Sequence, residues 1–249
     1  MDALLKFSVL CLCTLCLCNC IQLSTTPPSD LPIVVITFDD AHRSVYEKGF
    51  RLMRAVDTSW KATHFFPNTT LGIPDHLDLV TVKAMEDSGW ENGGHGVGHE
   101  NLASIPMDSA RQQINSVDSF FTANGMQLTS WAYAYGNYND SIEELVKAKC
   151  KNIRTSHDLD YIGSVNRTHL GYFAVRKEHT LQDLINRVEE ATNNGSLMVV
   201  IGFHVILDDN EAPTPDYYTR TEVYQGFLNY LKHREYPVMT MRKAMEVLN

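Results

Sequence analysis

The stretch that decides the fold is residues 33–40, IVVITFDD, in which six apolar or β-branched residues lead into Asp39 and Asp40. A continuous run of this kind is typical of a strand buried on both faces of a parallel sheet. Two adjacent carboxylates are costly to bury there, and side-chain alternation points them in different directions. The pair therefore indicates either the N-cap of the next helix or a functional site where one carboxylate binds a cation and the other takes a proton.

Strand-like and helical segments alternate along the rest of the chain, and no linker interrupts residues 31–249. This alternation predicts a single parallel α/β domain, either a barrel or an open doubly wound sheet. No G-x-G-x-x-G motif follows the first strand, so a dinucleotide-binding fold has no support. Further strands are predicted at 62–66, 128–135, 197–203 and 236–240, and helices at 44–56, 77–87, 108–124 (with Asp108 as N-cap), 140–149, 181–193, 217–233 and 241–248.

Composition excludes several classes of protein. The chain has 249 residues, of which 44% are hydrophobic and 20% charged, as is typical of a globular protein. Its formal net charge of -9 argues against nucleic acid as the main partner. Five of the six cysteines fall within residues 11–20, so disulfides cannot staple the remainder, and Cys150 is expected to be a buried thiol.

The N-terminal segment has the pattern of an export signal. Lys6 precedes an apolar run over residues 7–18, which is shorter than the roughly 20 residues that a membrane span needs. We expect a signal peptide over 1–23, a short linker over 24–30, and a secreted or cell-surface protein without a transmembrane span. A buried N-terminal helix is one alternative; a lipid anchor is another, because residues 17–20, LCNC, loosely resemble a lipoprotein box. Candidate glycan acceptors in N-x-S/T sequons are Asn68, Asn139, Asn166 and Asn194.

A glycine-rich segment at residues 93–99, GGHGVGH, follows a predicted strand and holds two histidines four residues apart. That spacing is typical of zinc ligands, but the glycines disfavour a helix and the glutamate of H-E-x-x-H is absent. We predict a loop that directs His95 and His99 toward one metal ion. The alternative for either histidine is a structural role.

Two more segments carry candidate functional groups at strand ends. Residues 133–138, YAYGNY, offer aromatic rings that could stack on a sugar, or form only an aromatic turn. The candidate substrate-binding residues are Trp131, Tyr133 and Tyr138. His204 ends the apolar run 199–203 and is a candidate acid or base, with a hydrogen-bonded core histidine as the alternative.

The order of these motifs resembles the polysaccharide deacetylases, the carbohydrate esterase family 4 that includes chitin deacetylases and peptidoglycan N-acetylglucosamine deacetylases. The motifs are TFDD at 37–40, H-x-x-x-H at 95–99, the Tyr-Gly turn at 135–136 and a strand that ends in His204. The resemblance covers roughly residues 32–245. It implies a distorted (β/α) barrel, TIM-like and usually seven-stranded, and a metal-dependent hydrolase that removes acetyl groups from N-acetylglucosamine in a chitin-like or peptidoglycan polymer.

The resemblance also assigns roles to individual residues. A divalent metal, zinc or else cobalt or another ion, would be held by Asp40, His95 and His99. The implied catalytic set is Asp39 as general base, His204 as general acid, the backbone N–H of Tyr135 at the oxyanion, and Arg154 as a substitute partner of Asp39.

The chain departs from the family pattern at several positions. Ala41 replaces the usual glycine, Gly202 replaces the usual leucine, and Ala132 replaces the arginine that normally contacts the catalytic aspartate. We expect Arg154 to supply that contact from the next strand, and Asp158 or Asp160 to support the catalytic histidine. Two other functions therefore stay open: a glycan-binding protein of weak or no activity, and a hydrolase of another non-peptide C–N bond.

Overall fold

A curled sheet of seven parallel strands forms the centre of the computed structural model, which describes residues 31–212 and 216–249. The architecture is that of a distorted (β/α) barrel with seven strands, as predicted. The predicted signal peptide (1–23) and linker (24–30) lie outside the described residues. In spatial order the sheet runs β5-β4-β3-β2-β1-β7-β6. The strands are β1 Ile33–Asp39, β2 Thr63–Phe66, β3 Glu91–Gly94, β4 Ser130–Ala132, β5 Asn152–Arg154, β6 Phe173–Ala174 and β7 Met198–Phe203.

The first strand lies inside the sheet, with a neighbour on each side, because most of its side chains are apolar. All seven residues of β1 are buried, and the strand pairs in parallel with β2 and β7. Alternate residues face two separate cores. Ile33 and Val35 pack inside the barrel, whereas Val34 and Ile36 pack against the helices. Burying each such side chain contributes about 1.5–3 kcal/mol.

Seven α-helices surround the sheet among the described residues: α1–α6 pack on its outer face, and α7 packs against the cluster that contains Ile33 and Val35. Polar N-caps set several of their starts: the Asp78 side chain accepts a hydrogen bond from Thr81 N–H, and Thr180 forms a capping box with Asp183. The helices are α1 Arg51–Val56, preceded by a π-helical turn Val45–Phe50, then α2 Leu79–Asp87, α3 Met107–Ala123, α4 Asp140–Lys147, α5 Leu181–Asn193, α6 Thr221–His233 and α7 Met241–Leu248.

The structure corrects some predicted boundaries. Asp108 is not an N-cap, because α3 begins after Pro106 and Asp108 lies in its first turn. The helix predicted over 217–233 begins only at Thr221, since Tyr218–Arg220 forms a strand, β9, paired with β8 (Val205–Leu207). The strand predicted at 236–240 reduces to one bridge between Val34 and Val238.

Two further expectations concern the membrane and the cysteines. Over residues 31–212 and 216–249, we find no helix with both the length and the apolar character that a bilayer crossing requires. Cys150 is a buried free thiol, as predicted, and burial raises its pKa well above the usual range.

The carboxyl ends of β1, β3, β5 and β7 lie at one edge of the sheet. In a parallel sheet this edge collects the residues that follow each strand. It therefore brings together the side chains around Asp39, His95, Arg154 and His204, which are far apart in the sequence.

Candidate functional site

A cavity of about 450 Å³ opens at this edge of the sheet. It contains most of the residues that the sequence singles out, contributed by five strands and the loops that follow them. Of the predicted site residues, the cavity is lined by Asp39, Asp40, His95, His99, Tyr133, Tyr135 and His204, and five further lining residues that sequence analysis missed are Thr155, Ser156, Tyr172, Val205 and Tyr217.

Asp40, His95 and His99 form a compact cluster on one side of the cavity. Asp40 Oδ1 lies 3.4 Å from His95 Nε2 and 3.3 Å from His99 Nε2. One donor atom of each residue lies within 4.8 Å of the other two. The structure therefore brings the two histidines together with an aspartate from another strand, as predicted. The loop that carries them is shorter than predicted, because Gly93 and Gly94 belong to β3.

The donor atoms of this cluster fit a divalent cation. His95 Nδ1 lies 2.8 Å from the carbonyl oxygen of Ala132, so the neutral ring donates there and keeps its lone pair on Nε2, which faces the cluster. Asp40 Oδ1 is buried and has no hydrogen-bond partner among the described residues. One carboxylate oxygen and two imidazole nitrogens, with room left in the cavity, are a donor set that divalent cations such as zinc accept.

Left-handed backbone holds the cluster in place. Asp40 and Ala41 have φ angles of 69° and 61°, and His99 has φ 66°. This conformation costs a non-glycine residue about 1–2 kcal/mol, and such strain is concentrated at functional sites. It explains why the family uses glycine where this chain has Ala41.

The second carboxylate, Asp39, is paired with Arg154. Arg154 Nη2 donates to Asp39 Oδ2 at 2.5 Å, and each of the two residues is only 2% exposed. Ala132 of β4 and Arg154 of β5 are register partners. Paired residues on neighbouring parallel strands face the same way. Arg154 can therefore reach the site from the strand next to position 132, where the arginine was expected and Ala132 is found.

Arg154 is held mainly by aromatic rings. Its guanidinium carbon lies 3.8 Å from the ring centroid of Tyr172 and 5.0 Å from that of Phe65. Nε and Nη1 have no hydrogen-bond partner among the described residues. Cation–π contacts with both rings therefore compensate for part of the desolvation of this buried charge.

The surroundings of Asp39 keep it ionised. Burial is the largest single influence and raises the pKa of Asp39, but the electrostatic effects of Arg154, His204 and His95 together outweigh it and lower the pKa below its usual value. A buried carboxylate that stays charged and faces the cavity is a competent proton acceptor.

His204 lies beside Asp39 but lacks a supporting partner. Its Nε2 is 3.6 Å from Asp39 Oδ2, while its buried Nδ1 has no hydrogen-bond partner among the described residues. Burial lowers the pKa of His204 despite the opposing charge of Asp39, so the ring is neutral near pH 7. The idea that Asp158 or Asp160 supports His204 is wrong, because both carboxylates instead pair with Arg187 at 2.8 and 3.1 Å.

The aromatic residues of the 131–138 segment divide into core and cavity positions. Trp131 is fully buried in the core behind the sheet and does not line the cavity, so its assignment to substrate binding is wrong. Tyr133 lines the cavity, and Tyr138 stacks on its ring at a centroid distance of 4.8 Å without lining the cavity itself. The Tyr135 side chain is 64% exposed at the rim and packs edge-on against His99.

Gly202 makes room for Tyr172. A Cβ atom at Gly202 would lie 2.2 Å from Cδ2 of the Tyr172 ring, far inside van der Waals contact. A glycine within a buried strand signals this kind of close approach, so the sequence offered a clue to an unseen neighbour but not to its identity. The glycine at this position thus belongs with the Tyr172–Arg154–Asp39 arrangement.

We expect Gly202→Ala to lower stability. The added methyl group must push the Tyr172 ring off Arg154, which costs about 1–3 kcal/mol as an overpacked core. Thermal unfolding measures this loss. Tyr172→Ala and the double variant Gly202→Ala/Tyr172→Ala complete a mutant cycle: once the ring is gone the added methyl group should cost little, and an equal cost of Gly202→Ala in both backgrounds would contradict the assigned contact.

Comparisons with known proteins agree with this geometry. The sequence profile of the family described as polysaccharide deacetylase matches residues 27–151. We found no curated protein whose sequence matches the chain.

Three solved structures share the fold at low sequence identity. A peptidoglycan deacetylase from Bacillus subtilis is 17% identical, with 87% of this chain and 91% of that chain covered and a TM-score of 0.55. A family 4 acetyl xylan esterase from Clostridium thermocellum, solved with a cobalt ion, is 16% identical, with 86% and 91% covered and a TM-score of 0.57. A CE4 family pseudoenzyme from Bacillus anthracis is 16% identical, with 88% and 66% covered and a TM-score of 0.57.

The matched segment contains the two pairs on which the site depends. It includes Asp39 with Asp40 and His95 with His99, and it spans just over half of the 249 residues. The chain belongs to the polysaccharide deacetylase family.

Proposed function

We propose that this protein is a metal-dependent deacetylase that hydrolyses the N-acetyl group of N-acetylglucosamine residues in an extracellular or cell-wall polysaccharide, releasing acetate. One observation carries the proposal: the Asp40–His95–His99 cluster shares one cavity with the Asp39–Arg154 ion pair and His204. A site for a cation and an ionised proton acceptor thus lie side by side, as amide hydrolysis requires.

Different residues of the site serve different steps of the hydrolysis. A zinc or similar divalent ion bound by Asp40, His95 and His99 would supply Lewis acidity and lower the pKa of water. Asp39, kept ionised by Arg154, takes the proton of the water that attacks the acetyl carbon. Tyr135, which lines the cavity and has φ 59°, would provide the backbone N–H that stabilises the developing oxyanion.

The departing amine needs a proton. His204 is neutral at rest, so it must first gain the proton that it donates. Asp39 Oδ2, 3.6 Å from His204 Nε2, is the nearby group that can pass on the proton taken from water. The sequence of transfers is water to Asp39, Asp39 to His204, and His204 to the amine nitrogen as the C–N bond breaks.

The rim of the cavity favours a polymeric sugar substrate. Tyr135 is exposed beside the cluster, and Tyr217 lies against His204 on the other side at a centroid distance of 4.8 Å. Two aromatic rings flanking an open cavity suit sugar rings on both sides of the acetylated residue. Two fold relatives, a peptidoglycan deacetylase and an acetyl xylan esterase, support acyl hydrolysis on a polysaccharide.

An acetate-release screen at saturating zinc tests the proposal. Chitin oligomers, peptidoglycan fragments and acetylated xylan would be offered separately, and we expect acetate from an N-acetylglucosamine polymer. Acetate from xylan alone would reassign the protein to ester hydrolysis. No acetate from any of the three would overturn the enzymatic proposal.

A second candidate is a glycan-binding protein that does not cleave its ligand. The unpartnered Nδ1 of His204 favours it, because an imidazole without a fixed tautomer is a poorer acid. A CE4 pseudoenzyme among the fold relatives shows that the fold occurs without activity. Chitin-oligomer binding without acetate release, at enzyme concentrations high enough to detect slow turnover, would favour this candidate.

Metal binding has its own expected result. Metal-free protein should bind one zinc ion per chain, with Tm rising as metal saturates the site. His99→Ala should weaken zinc binding by more than about 100-fold, because it removes one of three protein ligands, and loss of a residue that only supports a ligand already costs about 10- to 100-fold. Calorimetric titration measures the zinc affinity. The matched control is His76→Ala, which changes a histidine outside the cluster. Equal zinc affinities in the two variants would contradict the assignment of His99 as a metal ligand.

We further propose that the protein acts outside the cell. Residues 1–23 have the pattern of an export signal, and a lipid anchor at Cys20 is the alternative to simple cleavage. Mass spectrometry of the protein recovered from medium and from membranes would distinguish a cleaved chain from an acylated one. It would also show whether Asn68, Asn139, Asn166 and Asn194 carry glycans.

A further inference from the structure

A second cavity, of about 760 Å³, lies at the opposite end of the sheet from the candidate site. Its wall includes residues that immediately precede β2, β3, β4 and β5, among them Lys61, Gly89, Thr129 and Lys151. The other wall is formed by the start of α7 and the segment before it. This cavity takes no part in the proposed chemistry.

The cavity is strongly basic on a protein that is acidic. It is lined by one acidic side chain, Glu246, and by five basic ones: Lys61, Lys151, Arg167, Arg242 and Lys243. The chain as a whole carries a net charge of -9. Five cations around one concave surface produce a local positive potential that attracts anions.

Internal carboxylates do not neutralise these cations. Within residues 31–212 and 216–249, only Lys243 of the five lies within 4.0 Å of a carboxylate, that of Glu246 at 3.3 Å. Elsewhere on the surface basic residues commonly have such partners, as Lys149 has Asp118 and Lys232 has Asp57. The buried Nε of Arg167 has no hydrogen-bond partner among the described residues. Lys61 Nζ donates to the carbonyl oxygen of Thr58 at 2.7 Å and Arg242 Nη1 donates to Gln127 Oε1 at 3.2 Å, so these acceptors are neutral. Four of the five cations therefore have no carboxylate partner among the described residues.

The walls of the cavity are fixed before any ligand arrives. Glu91 is 1% exposed and accepts hydrogen bonds from the hydroxyls of Thr63, Thr129 and Ser130. It also accepts one from the backbone N–H of Arg242 at 2.8 Å, which ties the start of α7 to the sheet. The backbone that carries the cations therefore does not need to reorganise when an anion binds.

The lining distinguishes among anionic ligands. No aromatic ring lines this cavity, so it lacks the stacking platform on which single-stranded nucleic acids and neutral sugars depend. Among the uncharged lining residues, Gln127 and Asn249 are exposed, and their amide groups can form hydrogen bonds with sugar hydroxyl groups. We propose that this basic cavity binds the anionic groups of an acidic polysaccharide, a chain that carries sulfate or uronic-acid carboxylates.

Such a site would anchor the protein on an acidic matrix with the candidate active site facing away. The proposal goes beyond deacetylation and does not depend on it, since the two cavities lie at opposite ends of the same strands. Charge attraction should dominate the affinity, so binding should weaken as salt rises from low to physiological concentration.

Calorimetric titration of the full chain tests this inference with defined oligosaccharides. A heparin-derived hexasaccharide supplies sulfate, an oligogalacturonate supplies only carboxylates, and a chitin hexamer is the uncharged comparison. We expect at least one acidic chain to bind in low salt, and Lys151→Glu/Lys243→Glu to weaken that binding tenfold or more. Both side chains are exposed, so the variant should fold normally.

A matched variant distinguishes binding at this cavity from a general effect of the protein's net charge. Arg111→Glu/Lys83→Glu makes the same change in net charge at exposed positions that do not line the cavity, and it should bind nearly as the parent does. Equal weakening in both variants, or no binding of either acidic chain in low salt, would overturn the proposal. So would tighter binding of a single-stranded oligonucleotide than of both acidic sugars.

Discussion

Asp39→Asn should lower kcat/KM for acetate release by about 10³-fold while leaving the metal content unchanged. The substitution keeps the shape of the side chain but removes the charge that accepts the proton. Asp39 is not part of the Asp40–His95–His99 cluster, and the hydrogen bond of His95 to Ala132 does not involve it. Elemental analysis beside steady-state kinetics therefore separates the proton acceptor from the metal ligands.

The matched comparison is Asp40→Asn, which changes the neighbouring residue in the same way. There the expected loss is of metal first and activity as a consequence, because an amide oxygen is a weaker zinc ligand than a carboxylate. If Asp39→Asn lost its metal and Asp40→Asn kept it, the two roles would have to be exchanged. If Asp39→Asn retained parental activity, the assignment of a base to this position would fall.

The sequence predicted the parts of the fold that local patterns determine. The buried β-branched run gave β1, and capping residues with helical periodicity placed α5 at residues 181–193 and α7 at 241–248. The two-residue strand β6 carries too little pattern to be distinguished from a loop. The sequence pattern predicts a helix over Tyr218–Arg220, whereas the structure has a strand there. Its pairing with β8 joins residues distant in the sequence, so local periodicity cannot indicate it.

The candidate site could be predicted from the sequence where the functional residues lie within one short motif. The Asp pair and the His pair are close in sequence and lie in one cavity. Trp131 was misassigned because an aromatic residue near a site motif has the same appearance whether it faces ligand or core, and here Gly94 leaves it space behind the sheet. Tyr172 was missed because only the fold brings it between Gly202 and Arg154.

Arg154 shows how the sequence pattern and the fold together determine a site residue. The departure of Ala132 from the family pattern suggested that another arginine takes over, and the adjacent register position on β5 makes that replacement geometrically simple. The arginine is not free to act alone, since it depends on the rings of Tyr172 and Phe65 for most of its contacts. The altered residues around the site therefore function as a linked group rather than as isolated substitutions.

Arg154→Met should therefore have the second largest effect, on stability as well as on activity. Methionine fits between the two rings but leaves the buried Asp39 carboxylate without its positive partner, which costs about 3–5 kcal/mol of unfolding free energy. We also expect kcat/KM to fall by about 10²-fold, because Asp39 loses the charge that keeps it ionised. Denaturant unfolding and acetate release measure the two losses.

A double-mutant cycle makes the argument specific to the ion pair. Asp39→Asn/Arg154→Met removes both charges, so its stability should exceed that of Arg154→Met alone, since no unpaired charge stays buried. Arg154→Lys should retain more stability than Arg154→Met, because it keeps the positive charge but loses the planar contact with Tyr172. Additive losses of unfolding free energy in the double variant would show that the two side chains are energetically independent, and the pairing assigned to them would then fail.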